Sequence, residues 1–157
     1  MRPSWNAAAL VTIILLAEGC GKPGVTRPRG TERAAFELRR VISSTLKGPP
    51  PDAMAATDSV GQPILLAGEV LMSSSDIQTV ALSENRGRAV ITLTLTKAAG
   101  ERLASTTEAD PNGQMAILVD RKVLSTPRVA GPLGREIAIE TNQKEEEALS
   151  LARRLAP

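Results

Sequence analysis

The chain contains no histidine, and this absence removes several classes of catalytic and metal site. Ser-His-Asp and Cys-His catalysis both need an imidazole, and so does every metal site built on histidine ligands. The single cysteine, Cys20, excludes an intrachain disulfide and a cysteine zinc cluster. The remaining serines, lysines and carboxylates, including Ser73–Ser75 and Lys97, show no spacing of nucleophile and base. We therefore predict that the chain is not an enzyme and binds no cofactor.

Aromatic residues are scarce as well: there is no tyrosine, one phenylalanine and one tryptophan. The core must pack from aliphatic side chains, and the aromatic platforms that stack single-stranded nucleic acid are missing. The formal net charge of +2 is unevenly distributed. Residues 21–47 hold seven basic and two acidic residues, whereas residues 48–157 hold eleven basic and fourteen acidic residues. A mildly acidic body argues against a nucleic-acid partner.

The N-terminus has the pattern of a bacterial export signal. Arg2 precedes an apolar run over residues 7–17, which is shorter than the roughly 20 residues that a membrane span needs and suits a signal peptide. The run ends in "LLAEGC", which resembles a lipoprotein cleavage motif, although Leu16 lies one place early and Glu18 is unusual there. We predict a signal peptide over residues 1–19 and lipidation of Cys20, which would anchor the chain to a membrane at the extracytoplasmic face of the cell envelope. The alternative is an ordinary signal or a signal anchor with an incidental cysteine.

Residues 20–31 are rich in proline, glycine and arginine, a composition typical of a flexible tether. Their positive charge suits anionic lipid headgroups, although a solvated linker has the same composition. Residues 32–63 follow as a strand over residues 34–43, with Phe36 and Leu38 inward, and a proline-rich linker. The three consecutive prolines and two glycines of residues 47–63 predict a linker without regular structure.

The most regular segment is "ITLTLTKAAGERLA", residues 91–104. Its period of two predicts a half-buried strand with isoleucine and leucine inward and Thr92 and Thr94 on a solvated face. Thr96 is then placed to cap a helix that begins at Lys97, with Ala99 and Leu103 on its buried face. Gly100 suggests a close approach of this helix to the sheet.

Further elements follow in a clear order. "MAILVDRKVLS" predicts a tight hairpin, and "REIAIE" predicts a strand with Ile137 and Ile139 inward. A final helix is marked by a capping-box-like pair, Asn142 and Glu145, and by an apolar stripe of Ala148, Leu151, Ala152 and Leu155. A preceding strand is expected near residues 77–83. The sequence therefore predicts an α+β fold: a largely antiparallel sheet with two helices packed on it, in the order strand, helix, hairpin, strand, helix.

Two acidic segments raise the question of metal binding. Glu108, Asp110, Asn112 and Gly113 imitate the first half of a calcium-binding loop, but the twelfth position, which requires glutamate, is Val119. The run of glutamates at residues 145–147 favours the positive end of the last helix. We therefore predict no metal site.

Three segments together resemble the head subdomain of the first periplasmic domain of SecD, a subunit of the bacterial protein-export machinery. These are "GRAVITLTLTKAAGERLASTT", "GQMAILVDRKVLSTPRV" and "REIAIETNQKEEEALSLARRL". The family has a Thr-rich strand leading to a helix, a hairpin of the pattern "lAivLDgkvisaP" and a helix introduced by "eeA". The matching positions are Ala116–Val119, Asp120, Lys122, Val123, Pro127 and Glu147–Ala148, with Asp76–Ile77 upstream and a weaker match in "FELRRV". The resemblance covers roughly residues 64–156, so we expect a head-like domain over residues 64–157.

The chain departs from the family in two respects. The glycine of the hairpin turn is replaced by Arg121, which must then adopt an unusual backbone angle or change the turn. SecD has six membrane spans and couples proton flow to export with its partner SecF, and this chain shows no such spans. What the resemblance implies is therefore the role of the head alone, contact with unfolded or exported polypeptide or with a translocon or envelope protein.

The expected binding surface is an exposed sheet edge or the loop that follows the hairpin. The loop residues predicted to contact a partner are Thr126, Pro127, Arg128, Val129, Gly131, Pro132 and Leu133. The alternative for this loop is a rigid crossover between two elements. The alternative for the whole chain is a structural or inhibitory envelope lipoprotein that reuses the fold without a role in export.

Overall fold

The structure is a computed structural model, which describes residues 24–42, 48–141 and 143–157. Its strands are β1 (Phe36–Arg40), β2 (Met54–Thr57), β3 (Pro63–Leu66), β4 (Met72–Ser73), β5 (Ile77–Asn85), β6 (Arg88–Leu95), β7 (Met115–Val119), β8 (Lys122–Ser125) and β9 (Glu136–Thr141). The helices are α1 (Lys97–Ala109) and α2 (Glu145–Leu155), and a short 3₁₀ turn spans Ser74–Asp76. Within these described ranges, no helix is long and apolar enough to cross a membrane.

The strands form three antiparallel sheets, and the predicted α+β class is confirmed. One sheet has four strands in the order β4-β1-β7-β8, one has three in the order β5-β6-β9, and β2 and β3 form a hairpin. Every pairing between these strands is antiparallel. The strand predicted before the proline-rich segment, β1, pairs with β7 and so belongs to the same sheet as the hairpin β7–β8.

One large apolar cluster joins the three-stranded sheet, the four-stranded sheet and both helices. Its buried members include Phe36 from β1, Leu93 from β6, Leu103 from α1, Ile117 from β7 and Leu155 from α2. A second, smaller cluster lies on the opposite face of the four-stranded sheet, where Leu66 of β3 packs against residues of β7. The period of two in β7 explains both clusters, because alternate side chains of a strand point to opposite faces.

The threonine-rich strand β6 is partly as predicted. Ile91, Leu93 and Leu95 are fully buried, and Thr94 is intermediate. The prediction that Thr92 lies on a solvated face is wrong: its exposure is 8%, and its hydroxyl has no hydrogen-bond partner among the described residues. The physical reason is that β6 is the central strand, so the neighbouring strands β5 and β9 flank Thr92 on both sides.

Helix α1 begins at Lys97 as predicted, and the Thr96 hydroxyl accepts a hydrogen bond from the Ala99 backbone amide at 3.3 Å. Ala99 and Leu103 are buried. Gly100 does permit a close approach, because a Cβ at this position would lie 3.1 Å from the Cα of Arg135, directly before β9.

Helix α2 spans Glu145–Leu155 and its N-cap position is Lys144, whose side chain makes no capping hydrogen bond. The predicted capping role of Glu145 at the third helical position is therefore wrong, because Glu145 is the first helical residue; Asn142 lies outside the described residues. The apolar stripe is confirmed, with Ala148, Ala152 and Leu155 buried. The acidic first turn and basic last turn also match the helix dipole.

The prediction that residues 47–63 lack regular structure is wrong, because β2 lies inside this segment and pairs with β3. The prolines do not prevent this pairing. Pro49–Pro51 precede β2, and Pro63 is the first residue of β3, a position where a missing amide hydrogen is tolerated. The turn between the strands is held by Asp58, whose carboxylate accepts hydrogen bonds from the backbone amides of Val60 and Gln62.

Candidate functional site

The turn between β7 and β8 adopts a left-handed backbone, which the sequence makes costly. Asp120 has a φ of 50° and Arg121 a φ of 67°. Two-residue turns with positive φ at both positions match the twist of a hairpin, and they favour asparagine and glycine. The expectation that Arg121 carries the unusual backbone angle is confirmed.

Asp120 ties this turn to two other segments of the chain. One carboxylate oxygen accepts a hydrogen bond from the Ala35 backbone amide at 3.0 Å, and the other accepts one from the Arg154 guanidinium at 2.5 Å. The hydrogen bond from Ala35 and then the bond to Arg154 lower the pKa of Asp120 below its usual value of 3.8. The Ala34 amide also donates to the Arg154 carbonyl at 2.9 Å, so the segment before β1, the turn and the end of α2 meet at one end of the molecule.

Strand β8 is the terminal strand of the four-stranded sheet and has β7 on one side only. The chain continues beside β7 after β8 ends, because the Met115 amide donates to the Pro127 carbonyl and the Val129 amide donates to the Gly113 carbonyl. A continuous edge therefore runs from Lys122 to Val129. Among the described residues, no hydrogen bond between backbone groups reaches the outer side of Val123 or Leu124. An open strand edge of this kind can pair with an extended peptide.

A groove of about 460 Å³ lies between this edge and helix α2. Its apolar part comes from Val119, Val123 and Leu124 of the hairpin and Leu151 of the helix. All four are partly buried; Val123 packs on the small cluster and the other three on the main core. The polar residues at its border are Lys122, Gln143, Glu147, Ser150 and Arg154. The groove thus combines an apolar floor, a charged rim and unpaired backbone groups, which are the features that an extended polypeptide segment needs.

The predicted loop lies along and beyond the same edge, but much of it faces inward. Pro127, Val129 and Leu133 are buried, Thr126 and Gly131 are intermediate, and Arg128 and Pro132 are exposed. The loop is held by side-chain hydrogen bonds. The Gln114 amide donates to the Thr126 carbonyl at 2.9 Å, and the Leu133 amide donates to the Thr107 hydroxyl at 2.9 Å. In this conformation only its exposed residues are available to a partner.

The part of the groove contributed by α2 was not predicted from the sequence. Glu147, Leu151 and Arg154 lie on one side of the helix because residues three and four apart share a face. These side chains face β8 because of the way α2 packs on the sheets, which the sequence does not show. From the sequence, the apolar stripe assigned Leu151 to the core. Cys20, predicted as the lipidated residue, lies outside the described residues.

Comparison with known proteins places the chain within one family. Residues 52–156 match the family model described as SecDF, P1 head subdomain. The chain is 35% identical over 101 residues to the protein translocase subunit SecDF of Brucella abortus biovar 1 (strain 9-941). The match covers 60% of this chain but only 13% of that relative, so the chain corresponds to a small part of it.

Two solved structures have the same fold. A crystal structure of SecDF in the super-membrane-facing form aligns with a TM-score of 0.62 and 18% identity, and covers 79% of this chain and 19% of that one. A structure of SecDF described as a membrane component that enhances protein export aligns with a TM-score of 0.60 and 19% identity, and covers 79% of this chain and 62% of that one. The chain belongs to the SecDF P1 head subdomain family.

Proposed function

We propose that the chain is a non-catalytic module that binds an extended segment of polypeptide in the groove between β8 and α2. The observation that carries this proposal is the joining of an open strand edge to a groove with an apolar floor. Strand addition supplies backbone hydrogen bonds to any sequence, and the floor takes alternate apolar side chains. Such a surface recognises unfolded chains rather than one folded partner.

The relatives support the kind of ligand. They are named as a protein translocase subunit and as a membrane component that enhances protein export. A polypeptide in export is the ligand that these names suggest. The chain acts at the extracytoplasmic face of the envelope and is held at the membrane by lipid on Cys20. The exposed loop residues Arg128 and Pro132 extend the binding surface beyond β8.

The groove is tested with the full chain and an unfolded reporter polypeptide whose binding is followed by fluorescence anisotropy. Leu151→Glu places a carboxylate on the groove floor beside Glu147, and we expect affinity to fall at least about tenfold, since each 1.4 kcal/mol corresponds to one factor of ten. Leu82→Glu is the matched control, because Leu82 is also a partly buried leucine packed on the main core but lies on β5. Equal loss of affinity in both variants contradicts the groove assignment.

Site-specific crosslinking tests the same proposal in cells. A photoreactive residue at Val123 on the strand edge should capture exported polypeptides, whereas one at the exposed Glu84 on β5 should not. Absence of polypeptide adducts from Val123 contradicts binding at the edge and favours a structural or inhibitory role in the envelope. Anchoring is checked separately, since Cys20→Ser should move the chain from the membrane fraction to the soluble fraction.

A further inference from the structure

The end of the molecule at the β7–β8 turn concentrates basic side chains. The turn, the segment before β1 and the last turn of α2 meet there through Asp120 and the backbone of Arg154. The basic residues that these three segments bring to this end are Arg33, Arg121, Lys122, Arg153 and Arg154. We call this set the basic end.

Three of these cations are free to meet a ligand. Arg154 pairs with Asp120, and Arg33 donates to the Ser74 carbonyl. Arg121, Lys122 and Arg153 are exposed, and within the described parts of the chain none of them forms an ion pair. The only acidic side chain in the turn is Asp120, and it is already occupied by Arg154 and Ala35.

The charge of α2 is polarised along the helix, although the exposed Lys144 directly precedes its acidic first turn. The first turn of the helix holds three exposed glutamates, residues 145–147, and its last turn holds Arg153 and Arg154. A further acidic residue, Glu84, lines a second groove of about 380 Å³ together with Glu145 of the first turn. The two ends are separated by the length of α2, about 16 Å at 1.5 Å per residue. An anionic surface would therefore attract the last turn of α2 and repel its first turn.

Arg121 adds a second kind of observation. Its left-handed backbone would be free of strain with glycine, so the arginine at this exposed turn carries a conformational cost. Arg86 in the β5–β6 turn has a positive φ as well, so the strain marks a turn and does not by itself identify a binding residue. The turn holds this guanidinium at the tip of the hairpin, beside Lys122.

We propose that the basic end docks the folded domain onto an anionic lipid surface. The segment that enters the basic end continues directly from residues 20–31, whose basic side chains are Lys22, Arg27 and Arg29, and from the apolar run over residues 7–17. The first described residues, Gly24 and Val25, pair with β5 at Ala81 and Val80, and the chain then runs through the exposed Arg27 and Arg29 to the basic end. The acidic first turn of α2 and the second groove beside it then face away from the lipid.

Lipid fits this surface better than nucleic acid or an acidic protein. Residues 48–157 carry more acidic than basic residues, so a long polyanion that wrapped the domain would meet repulsion beyond the basic end. A planar anionic membrane contacts the domain on one side only, so one basic end is enough for binding. Each lysine or arginine near the membrane strengthens binding about fivefold. The proposal rests on membrane association from the proposed function but not on polypeptide binding in the groove.

The native lysines allow a test in the full chain. The chain is mixed with vesicles of phosphatidylglycerol and phosphatidylcholine or of phosphatidylcholine alone, and the rate of amine acylation at each lysine is read by mass spectrometry. We expect acylation of Lys122 to slow several-fold with the anionic vesicles only, and the protection to disappear at about 0.5 M salt, where screening is strong. Lys97 and Lys144, both exposed and outside the basic end, should react at the same rate with both vesicles. Equal rates for Lys122 with both vesicles overturn the proposal.

Two charge-reversal variants, one inside and one outside the basic end, test whether the basic end is the surface that contacts lipid. Arg121→Glu combined with Arg153→Glu should abolish the protection of Lys122. Arg86→Glu combined with Arg128→Glu makes the same change of charge at exposed positions elsewhere, and Arg86 also has a positive φ in a hairpin turn, so this variant should keep the protection. Loss of protection in both variants shows that net charge alone is responsible and overturns the assignment.

Two further arms separate lipid from other anions. Without vesicles, inorganic phosphate should leave Lys122 unprotected. Polyglutamate should also leave it unprotected in the Leu151→Glu variant, in which the groove bordered by Lys122 is blocked. Protection by phosphate alone identifies a small-anion site, protection by polyglutamate identifies an acidic polypeptide as the ligand, and either result overturns lipid docking. Leu151→Glu, which is designed to block the groove, should retain lipid protection, so failure of polypeptide binding and failure of docking are distinguishable.

Discussion

Arg121 occupies a backbone conformation that favours glycine, and this gives a prediction about stability. We expect Arg121→Gly to raise the free energy of unfolding by about 0.5–1 kcal/mol. Relief of the left-handed cost of about 1–2 kcal/mol exceeds the extra entropy that glycine loses on folding, about 0.5–1 kcal/mol. Arg121→Ala removes the same charge but keeps the Cβ, so it should change stability little. Chemical denaturation measures both, and an equal gain in the two variants contradicts the backbone explanation.

Arg121→Gly should stabilise the fold but weaken vesicle docking, because it removes one cation of the basic end. This opposition of stability and binding at one residue is expected where strain is retained for a functional side chain.

Asp76 predicts how stability depends on pH. Burial by itself would raise the pKa of this carboxyl, but the hydrogen bond from the Ser73 amide at 2.9 Å and the nearby Arg102 guanidinium at 3.0 Å lower it below 3.8. The folded chain therefore binds a proton at Asp76 less readily than the unfolded chain does. The stabilising contribution of ionised Asp76 is present above about pH 4 and is lost as the pH falls through the lowered pKa.

We therefore expect wild-type stability to drop below about pH 4 more steeply than that of Asp76→Asn, because the asparagine cannot titrate. Asp120→Asn should remove a further part of the dependence, since the pKa of Asp120 is lowered as well. Urea denaturation across this pH range is the measurement, with Glu101→Gln on the exposed face of α1 as the control. Identical pH profiles for wild type and Asp76→Asn contradict the assignment.

At the level of elements, Gly100 in α1 should resist a substitution that normally strengthens helices. Alanine is favoured over glycine in a helix by about 1 kcal/mol, but its Cβ would collide with Arg135. Arg135 has little freedom to move, because its guanidinium donates to the Leu95 carbonyl and to the Gln78 side chain. We expect Gly100→Ala to lower the free energy of unfolding by about 1–3 kcal/mol. Ser105→Ala, an exposed position of α1, should instead give a small gain, and a comparable gain for Gly100→Ala in thermal denaturation would contradict the close packing.

The elements with strong periodicity were predictable from sequence, and those that depend on tertiary packing were not. The alternation in β6 and β9 and the cap at Thr96 are local, so they identified the buried faces and the start of α1 correctly. The hairpin β2–β3 was missed because its prolines lie at positions that happen to tolerate them, which only the pairing shows. The burial of Thr92 depends on its central place in the sheet.

The candidate site shows the same limit. An exposed sheet edge was among the surfaces expected, but the sequence did not identify β8 as the strand that provides it. The turn at Arg121 was recognised as a departure from the family. The groove needs α2 to lie beside β8, and no local pattern encodes that contact. Seven loop residues were chosen from sequence, but three of them, Pro127, Val129 and Leu133, are buried, and side-chain hydrogen bonds from Gln114 and to Thr107 hold the loop in place.

The whole molecule is organised around two apolar clusters of unequal size. The parts of the chain that each cluster holds together should unfold separately. The main cluster joins two sheets and both helices, so loss of one member weakens all of them together. The small cluster connects only the hairpin β2–β3 to the outer face of the four-stranded sheet. Local opening of such an appended unit costs less free energy than global unfolding.

Phe36 and Leu66 test this organisation, since both are 1% exposed and each belongs to one cluster. Phe36→Ala should lower the free energy of unfolding by about 3–5 kcal/mol and should accelerate amide hydrogen exchange in β6 and β7 together, because these strands share its cluster. Leu66→Ala should accelerate exchange mainly in β2 and β3 and leave the amides of β6 almost unchanged. Equal acceleration of β6 in the two variants would show that the hairpin folds as part of one cooperative core, and the separation of the two clusters would then be structural but not energetic.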